Sequence, residues 1–299
     1  MVDPISAATA GAVAHVVKGA SDEGTKVTGG LLARLFGPSA DVLGANWADQ
    51  LREKNMQRLL TKTGKRATKK DDSGQNPGIA NARVASQVFE SAQYADGEVV
   101  AEYLSGVLAS SRSATGENDA GVAWSTVISR LSSDQLSMHY VIYASARPLI
   151  ISQGHATTND IHRLEVIFPM IEMLSSLGML EPGDEPRMER FSDALDGLIR
   201  EGLLEEGFSH GSKAHTFESE LASGRIVAAP LAYAVRVNLS RHGTRLFVWG
   251  NGAGELGSTA YLNQAIDLQA VDPEAAPKLL DAYTAETATA EAAPTPPAA

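Results

Sequence analysis

Apolar residues in this chain recur at helical spacing for most of its length and change to strand spacing only after Gly202. That ordering demands a mainly α fold with a small β component near its end. Leu43, Trp47 and Leu51 stand at i, i+4 and i+8, with Leu59 and Leu60 further along the same side, and predict one long helix from about Ser39 to Lys70. Before it, a helix over Thr25–Phe36 is stopped by Gly37-Pro38, and an apolar stretch over Met1–Ala20 reads as a surface helix with Asp3 as cap and Pro4 at its first position. Further helices are expected over Ala80–Tyr94, Gly97–Ser111, Val122–Leu131 and Asp134–Ala146, the last capped by Ser133 and ended by Pro148. An apolar helix over Asp160–Leu177 follows, built on Leu164, Ile167, Phe168, Ile171 and Leu174, with Pro169 kinking or dividing it. Arg187–Glu201 is the next, closing on Gly202.

Strand character is confined to His215–Phe217, Tyr233–Leu239 and Arg245–Trp249. A helix over Ser258–Gln269 and a short one after Pro273 complete the pattern. The expected division is therefore 1–70 (helices ending in a basic one), 71–78 (a loop of turn formers), 79–183 (central helices), 184–257 (a small α+β part), 258–283 (helices) and 284–299, an Ala, Thr, Pro and Glu tail expected to be disordered.

The 299 residues include no cysteine, which excludes disulfides, thiolate metal sites and thiol catalysis and suits a reducing compartment. The net charge of −11 conceals a segregation. Arg52, Lys54, Arg58, Lys62, Lys65, Arg66, Lys69 and Lys70 stand against Glu53 alone, a net of +7 in 19 residues, so the remainder carries −18. Such a block is either a solvated helix face or an arm for an anionic partner, nucleic acid or a membrane surface. No aromatic residue interleaves it, so stacking on single-stranded bases is not indicated. The N-terminus lacks the leading cations of a secretory signal, and no segment has the apolar length of a membrane span, which makes the cytoplasm the default location.

Catalytic patterns are few. Gly252-Ala253-Gly254-Glu255-Leu256-Gly257 matches a dinucleotide fingerprint, yet the strand and acidic partner that should follow it are missing, so a glycine-rich connector is the better reading. His162 and Glu165 share a helix face with His155 upstream, but no second pair exists to complete a metal site. Asp96, Glu98 and Glu102 are carboxylates of the kind that hold magnesium, yet they stand where a helix start favours acids anyway. No nucleophile, base and acid converge in the pattern, so binding is favoured over catalysis and no metal or cofactor is expected.

Gly30-Leu31-Leu32-Ala33-Arg34-Leu35-Phe36-Gly37-Pro38-Ser39-Ala40-Asp41-Val42-Leu43-Gly44, followed by a basic helix, resembles the bacterial abortive infection alpha family. Val84–Ser111, with Glu90 and Ala92 leading into Leu104, Leu108, Ala109 and Ser110, is similar to a second block of that family, and Ile128-Ser129-Arg130-Leu131-Ser132-Ser133-Asp134 to its turn before the next helix. The resemblance implies a role in phage exclusion and carries no catalytic residue. Separately, the helix closing on Gly202-Leu203-Leu204 and the segment Leu239-Ser240-Arg241-His242-Gly243 resemble the end of a winged-helix module, with Ser240 in place of a threonine and Gly243 expected to make the turn after a wing strand. Arg187, Arg190 and Arg200 on that helix are offset by Glu189, Asp193, Asp196 and Glu201, a poor balance for phosphate contact.

The sequence thus points to a phage-exclusion factor acting by binding, with a phage or host protein as partner. A nucleic-acid-binding regulator using residues 52–70 is the alternative, and an enzyme with an unrecognised site the third. Self-association through the helix around Leu43–Leu60 stays open.

Overall fold

The computed structural model describes residues 34–37, 54–72, 78–95, 97–154, 157, 161, 164–180, 187–212 and 233–283, and these are mainly helical. The expected helix at 1–20, most of that at 25–36, the apolar half of the long helix around Leu43, the strand at 215–217 and the tail at 284–299 lie outside the described residues. The chain forms two compact units.

The first unit takes in the chain up to Arg130 together with Trp249–Glu255 and Ala270–Asp272. Its helices are α1 (Lys54–Asp72), α2 (Ala82–Gln93), α3 (Glu98–Ser110) and α4 (Gly121–Arg130). Phe36 meets Phe89 edge-on at 5.7 Å, and Gly37 ends its turn with φ of 51°, the left-handed geometry that the Gly37-Pro38 stop predicts. Asn81 starts α2 by accepting hydrogen bonds from the Arg83 and Val84 amides at 3.0 and 3.3 Å. Helix α3 is buried on every side, and at Gly106 a Cβ would lie 1.8 Å from the Gly250 carbonyl oxygen, so glycine is required for that approach. Of the loop expected at 71–78, Asp71 and Asp72 are the end of α1, residues 73–77 lie outside the described residues, and the strand β1 (Ile79–Ala80) follows Gly78. This strand pairs antiparallel with β2 (Arg112–Ser113). Two residues per strand are too few to leave a periodic signature.

The second unit takes in Leu131–Val248, Leu256–Gln269 and the chain from Pro273. It opens with α5 (Ser133–Ser152), whose cap is Ser132 rather than Ser133. Ser132 Oγ accepts the Gln135 amide at 3.2 Å while Gln135 Oε1 accepts the Ser132 amide at 2.9 Å, a reciprocal capping box. Pro148 does not end this helix. Its ring removes one amide donor near the C-terminal end, and the next turn closes normally with the Gln153 amide on the Leu149 carbonyl at 3.1 Å.

The expected helix at 160–177 is instead a strand followed by a short helix, β3 (Glu165–Pro169) and α6 (Met170–Ser176). Val166, Ile167 and Phe168 form a continuous apolar run buried on both faces, which periodicity alone cannot tell from a buried helix. Pro169 divides the two elements. Next come α7 (Arg187–Arg200), β4 (Ser209–Ser212), β5 (Tyr233–Asn238) and α8 (Arg241–Gly250). The sheet order is β3-β5-β4, all antiparallel, with Val166 opposite Val237 and Phe168 opposite Val235. Helix α7 is thus followed by the paired strands β4 and β5. Because β3 is a strand of this sheet, the unit begins at Leu131 and not near 184.

Two further expectations are corrected. Arg245–Trp249 is helical, because Ser240 caps α8: its Oγ accepts the Gly243 amide at 2.8 Å, and Leu246, Phe247 and Val248 are then buried. Gly243 accordingly sits in the first turn of a helix and not in a turn after a strand. The helix expected over Ser258–Gln269 is reduced to a 3₁₀ segment, Ser258–Leu262. The Arg147 guanidinium captures the carbonyls of Tyr261, Asn263 and Ile266 at 2.9, 2.6 and 2.6 Å, and oxygens so engaged are diverted from a helical ladder. The region after Pro273 likewise has no helix among the described residues.

Candidate functional site

The eight cations expected to face an anion lie on or just before α1. Arg52 is outside the described residues. The other seven divide by helical position, since α1 buries Met56, Leu59, Leu60, Thr63 and Ala67, and that same side carries Lys62 and Arg66. Lys62 is 2 % exposed and Arg66 7 %. These two are the middle of the basic block, and neither presents its charge to solvent.

Both converge on Glu102 in the interior of α3. Lys62 Nζ lies 2.6 Å from Glu102 Oε1, and Arg66 Nη2 lies 2.6 Å from Glu102 Oε2. The same carboxylate accepts the Val271 and Asp272 amides at 3.2 and 3.3 Å. Arg66 also donates Nη1 to the Asn251 carbonyl at 2.7 Å. Lys62 reaches Asp272 at 3.0 Å and Glu98 at 3.3 Å, while Lys65 meets Asp272 at 2.6 Å. Arg58 pairs with Glu98 at 2.7 Å and Lys70 with Glu255 at 2.7 Å. At the end of α1, Asp71 takes Arg34 and, at 3.2 Å, Arg112. Lys54, Lys65 and Lys69 are the exposed cations of α1, of which Lys65 is paired with Asp272 and Lys69 is also engaged.

The electrostatics follow from this geometry. Burial pushes the Glu102 carboxyl up, but the charge of Arg66 and the hydrogen bond and charge of Lys62 outweigh it and hold the group below its ordinary value. Burial would lower the Lys62 ammonium, yet Glu102 and then Asp272 keep it above its ordinary value. Lys70 is lowered by burial, against which Glu255 works only in part. Chemically, this is a set of matched, mutually satisfied ions. It ties α1 to α3 and to the chain segments at Asn251–Glu255 and Val271–Asp272, and so closes the first unit.

Glu102, Asn251, Glu255 and Asp272 are the partners that sequence reasoning did not assign. Glu102 had a visible signal, the one charged residue in the run Val99–Leu108. It is the fifth residue of α3, past the first turn where a helix favours acids for its dipole.

The glycines of the dinucleotide-like match follow helix α8, not a strand. A Cβ on Gly254 would strike the Trp249 ring at 2.3 Å, and Gly252, at φ of 81°, lies against the Arg66 side chain. They serve packing. His155 and His162 lie outside the described residues, and Glu165 pairs with Arg236 across the sheet at 2.5 Å. Among the described residues no group of three His, Asp or Glu is placed to hold a metal ion, and no helix is long and apolar enough to cross a membrane.

In the second unit, α7 buries Phe191, Ala194, Leu195 and Leu198. Its outward residues include Met188, Glu189, Asp193, Asp196 and Arg200, three acids to one base, while Arg190 turns to Asp134 at 3.1 Å. Comparison with family models, curated proteins and solved structures returns no match.

Proposed function

We propose that this chain is a phage-exclusion factor that acts by binding a phage or host protein. The phage link draws on the resemblance at Gly30–Gly44, Val84–Ser111 and Ile128–Asp134. Those blocks supply fold-determining contacts here, including the Phe36–Phe89 contact, buried Leu104 and Leu108, and the Ser132 capping box.

The observation that carries protein over nucleic acid is the outward face of α7. A helix placed before a β hairpin is the usual reading element of a winged-helix module, and such modules serve DNA, RNA or protein alike. Glu189, Asp193 and Asp196 on its exposed side repel phosphates. The inward use of Lys62 and Arg66 supports the same conclusion for the basic block.

The test is plating efficiency across a broad phage panel on a host with and without the gene. A drop for at least one phage, lost in Asp193→Lys/Asp196→Lys, supports the reading. Equal plating on both hosts contradicts it. The nucleic-acid reading rests on exposed Lys54, Lys65 and Lys69. With three cations, the log–log salt slope of duplex binding would not exceed about −3.

A further inference from the structure

The geometry points to the outer edge of β3 as a strand-addition site for an extended peptide, held closed in this chain by a detachable strap, Lys278–Tyr283. This inference is independent of the phage-exclusion reading.

Strand β3 pairs with β5 on one side only, through Val166 and Phe168, so the backbone groups of Glu165 and Ile167 point away from the sheet. An edge of this kind is a template for another strand unless it is covered. Pro169 has no amide to offer, which limits the open ladder to its first rungs.

The cover is the chain's own. The Ile167 amide donates to the Tyr283 carbonyl at 2.8 Å and the Tyr283 amide donates to the Ile167 carbonyl at 2.9 Å, a complete antiparallel rung. Upstream, the Leu280 amide donates to Ser145 Oγ at 2.9 Å and Ser176 Oγ donates to the Lys278 carbonyl at 2.5 Å.

The strap lies shallow. No residue from Lys278 to Tyr283 is buried, and Leu279 is 44 % exposed. Segments kept by hydrogen bonds with little apolar burial open at the low-stability end of a fold. The edge beneath is different, since Val166, Ile167 and Phe168 are all buried and rigidly registered against β5. A firm edge under a loose strand is the arrangement that strand addition uses, with main-chain bonds supplying affinity. The occupant is therefore an extended peptide that takes over the main-chain rung of Tyr283, with the strap's own sequence, Lys278–Tyr283, as its template.

The probe is a fluorescein-labelled peptide Lys-Leu-Leu-Asp-Ala-Tyr-Thr, copied from residues 278–284, titrated by anisotropy into the full chain. Tyr283→Pro removes the strap's rung donor and is expected to tighten peptide binding at least tenfold over wild type. Ser176→Cys/Lys278→Cys, the sole thiols in the chain, locks the strap when oxidised and is expected to abolish binding, with reductant restoring it. Amide exchange at Ile167, followed in the same samples, is expected to quicken in Tyr283→Pro while exchange at Val166 stays slow, which also reports that the sheet remains folded. Failure of the peptide to bind a folded Tyr283→Pro chain, or equal binding to locked and reduced forms, overturns the proposal.

Discussion

Lys62 and Glu102 face each other at 2.6 Å with both side chains withdrawn from water, one from the middle of a run of cations and the other from the middle of an apolar helix. The pair turns the most conspicuous charge feature of the chain inward. Because the folded Glu102 carboxyl lies below its ordinary value of 4.5, its stabilising contribution is fully present above that pH and is lost as pH falls below it. Asp272 and Asp71, also lowered, act in the same direction. Urea unfolding between pH 6 and 3 is expected to show a steep loss of stability below pH 4.5 that Glu102→Gln flattens.

His139 adds a second acid-sensitive element. It is fully enclosed, stacks on Tyr143 at 4.4 Å and touches the Gly243 carbonyl at 3.2 Å. Burial pulls its imidazole from 6.5 down to about 3. A lowered histidine stabilises the fold above its unfolded value and ceases to do so as pH falls through the window from 6.5 to 3. Between pH 7 and pH 5 the expected loss is about 2 kcal/mol. His139→Phe, which keeps the stacking and removes the titration, should lose about 2 kcal/mol less over the same interval in chemical denaturation.

Ser240 joins β5 to α8. Its hydroxyl accepts the Gly243 amide at 2.8 Å and donates to the Gly202 carbonyl at 2.7 Å. Ser240→Ala is expected to cost about 1–2 kcal/mol, and Ser240→Thr to restore most of it. Gly243→Ala should be at least as severe, about 1–3 kcal/mol, since its Cβ would lie 2.1 Å from both the Leu203 carbonyl and the Tyr143 hydroxyl. Thermal unfolding of the three variants distinguishes these effects.

Helices α2, α3, α4 and α7 were legible in the sequence because each carries an apolar face between recognisable breakers. Val166-Ile167-Phe168 and Leu246-Phe247-Val248-Trp249 were not, and for the same reason: a short run buried throughout has no period to read. The first is a strand and the second a helix, and what decides is outside the run, a partner at β5 in one case and the Ser240 cap in the other. The long helix expected near Ser258 failed because Arg147, more than a hundred residues away, takes the carbonyls that the helix needs. The basic block was plain in composition. Its role was not, since Glu102, Asn251 and Asp272 stand 36 to 210 residues from the cations they meet.

The most direct measurement is a double-mutant cycle at Lys62 and Glu102, using Lys62→Met, Glu102→Leu and the pair, with equilibrium unfolding as readout. Lys62→Met leaves Glu102 one cation short, with Arg66 still in place, and is expected to cost about 1–3 kcal/mol, Glu102→Leu takes the shared carboxylate from both Lys62 and Arg66 and is expected to cost about 3–5 kcal/mol, and the double costs clearly less than the sum. Singles within about 0.5 kcal/mol of wild type, or strictly additive losses, would contradict an inward-facing basic helix that closes the first unit.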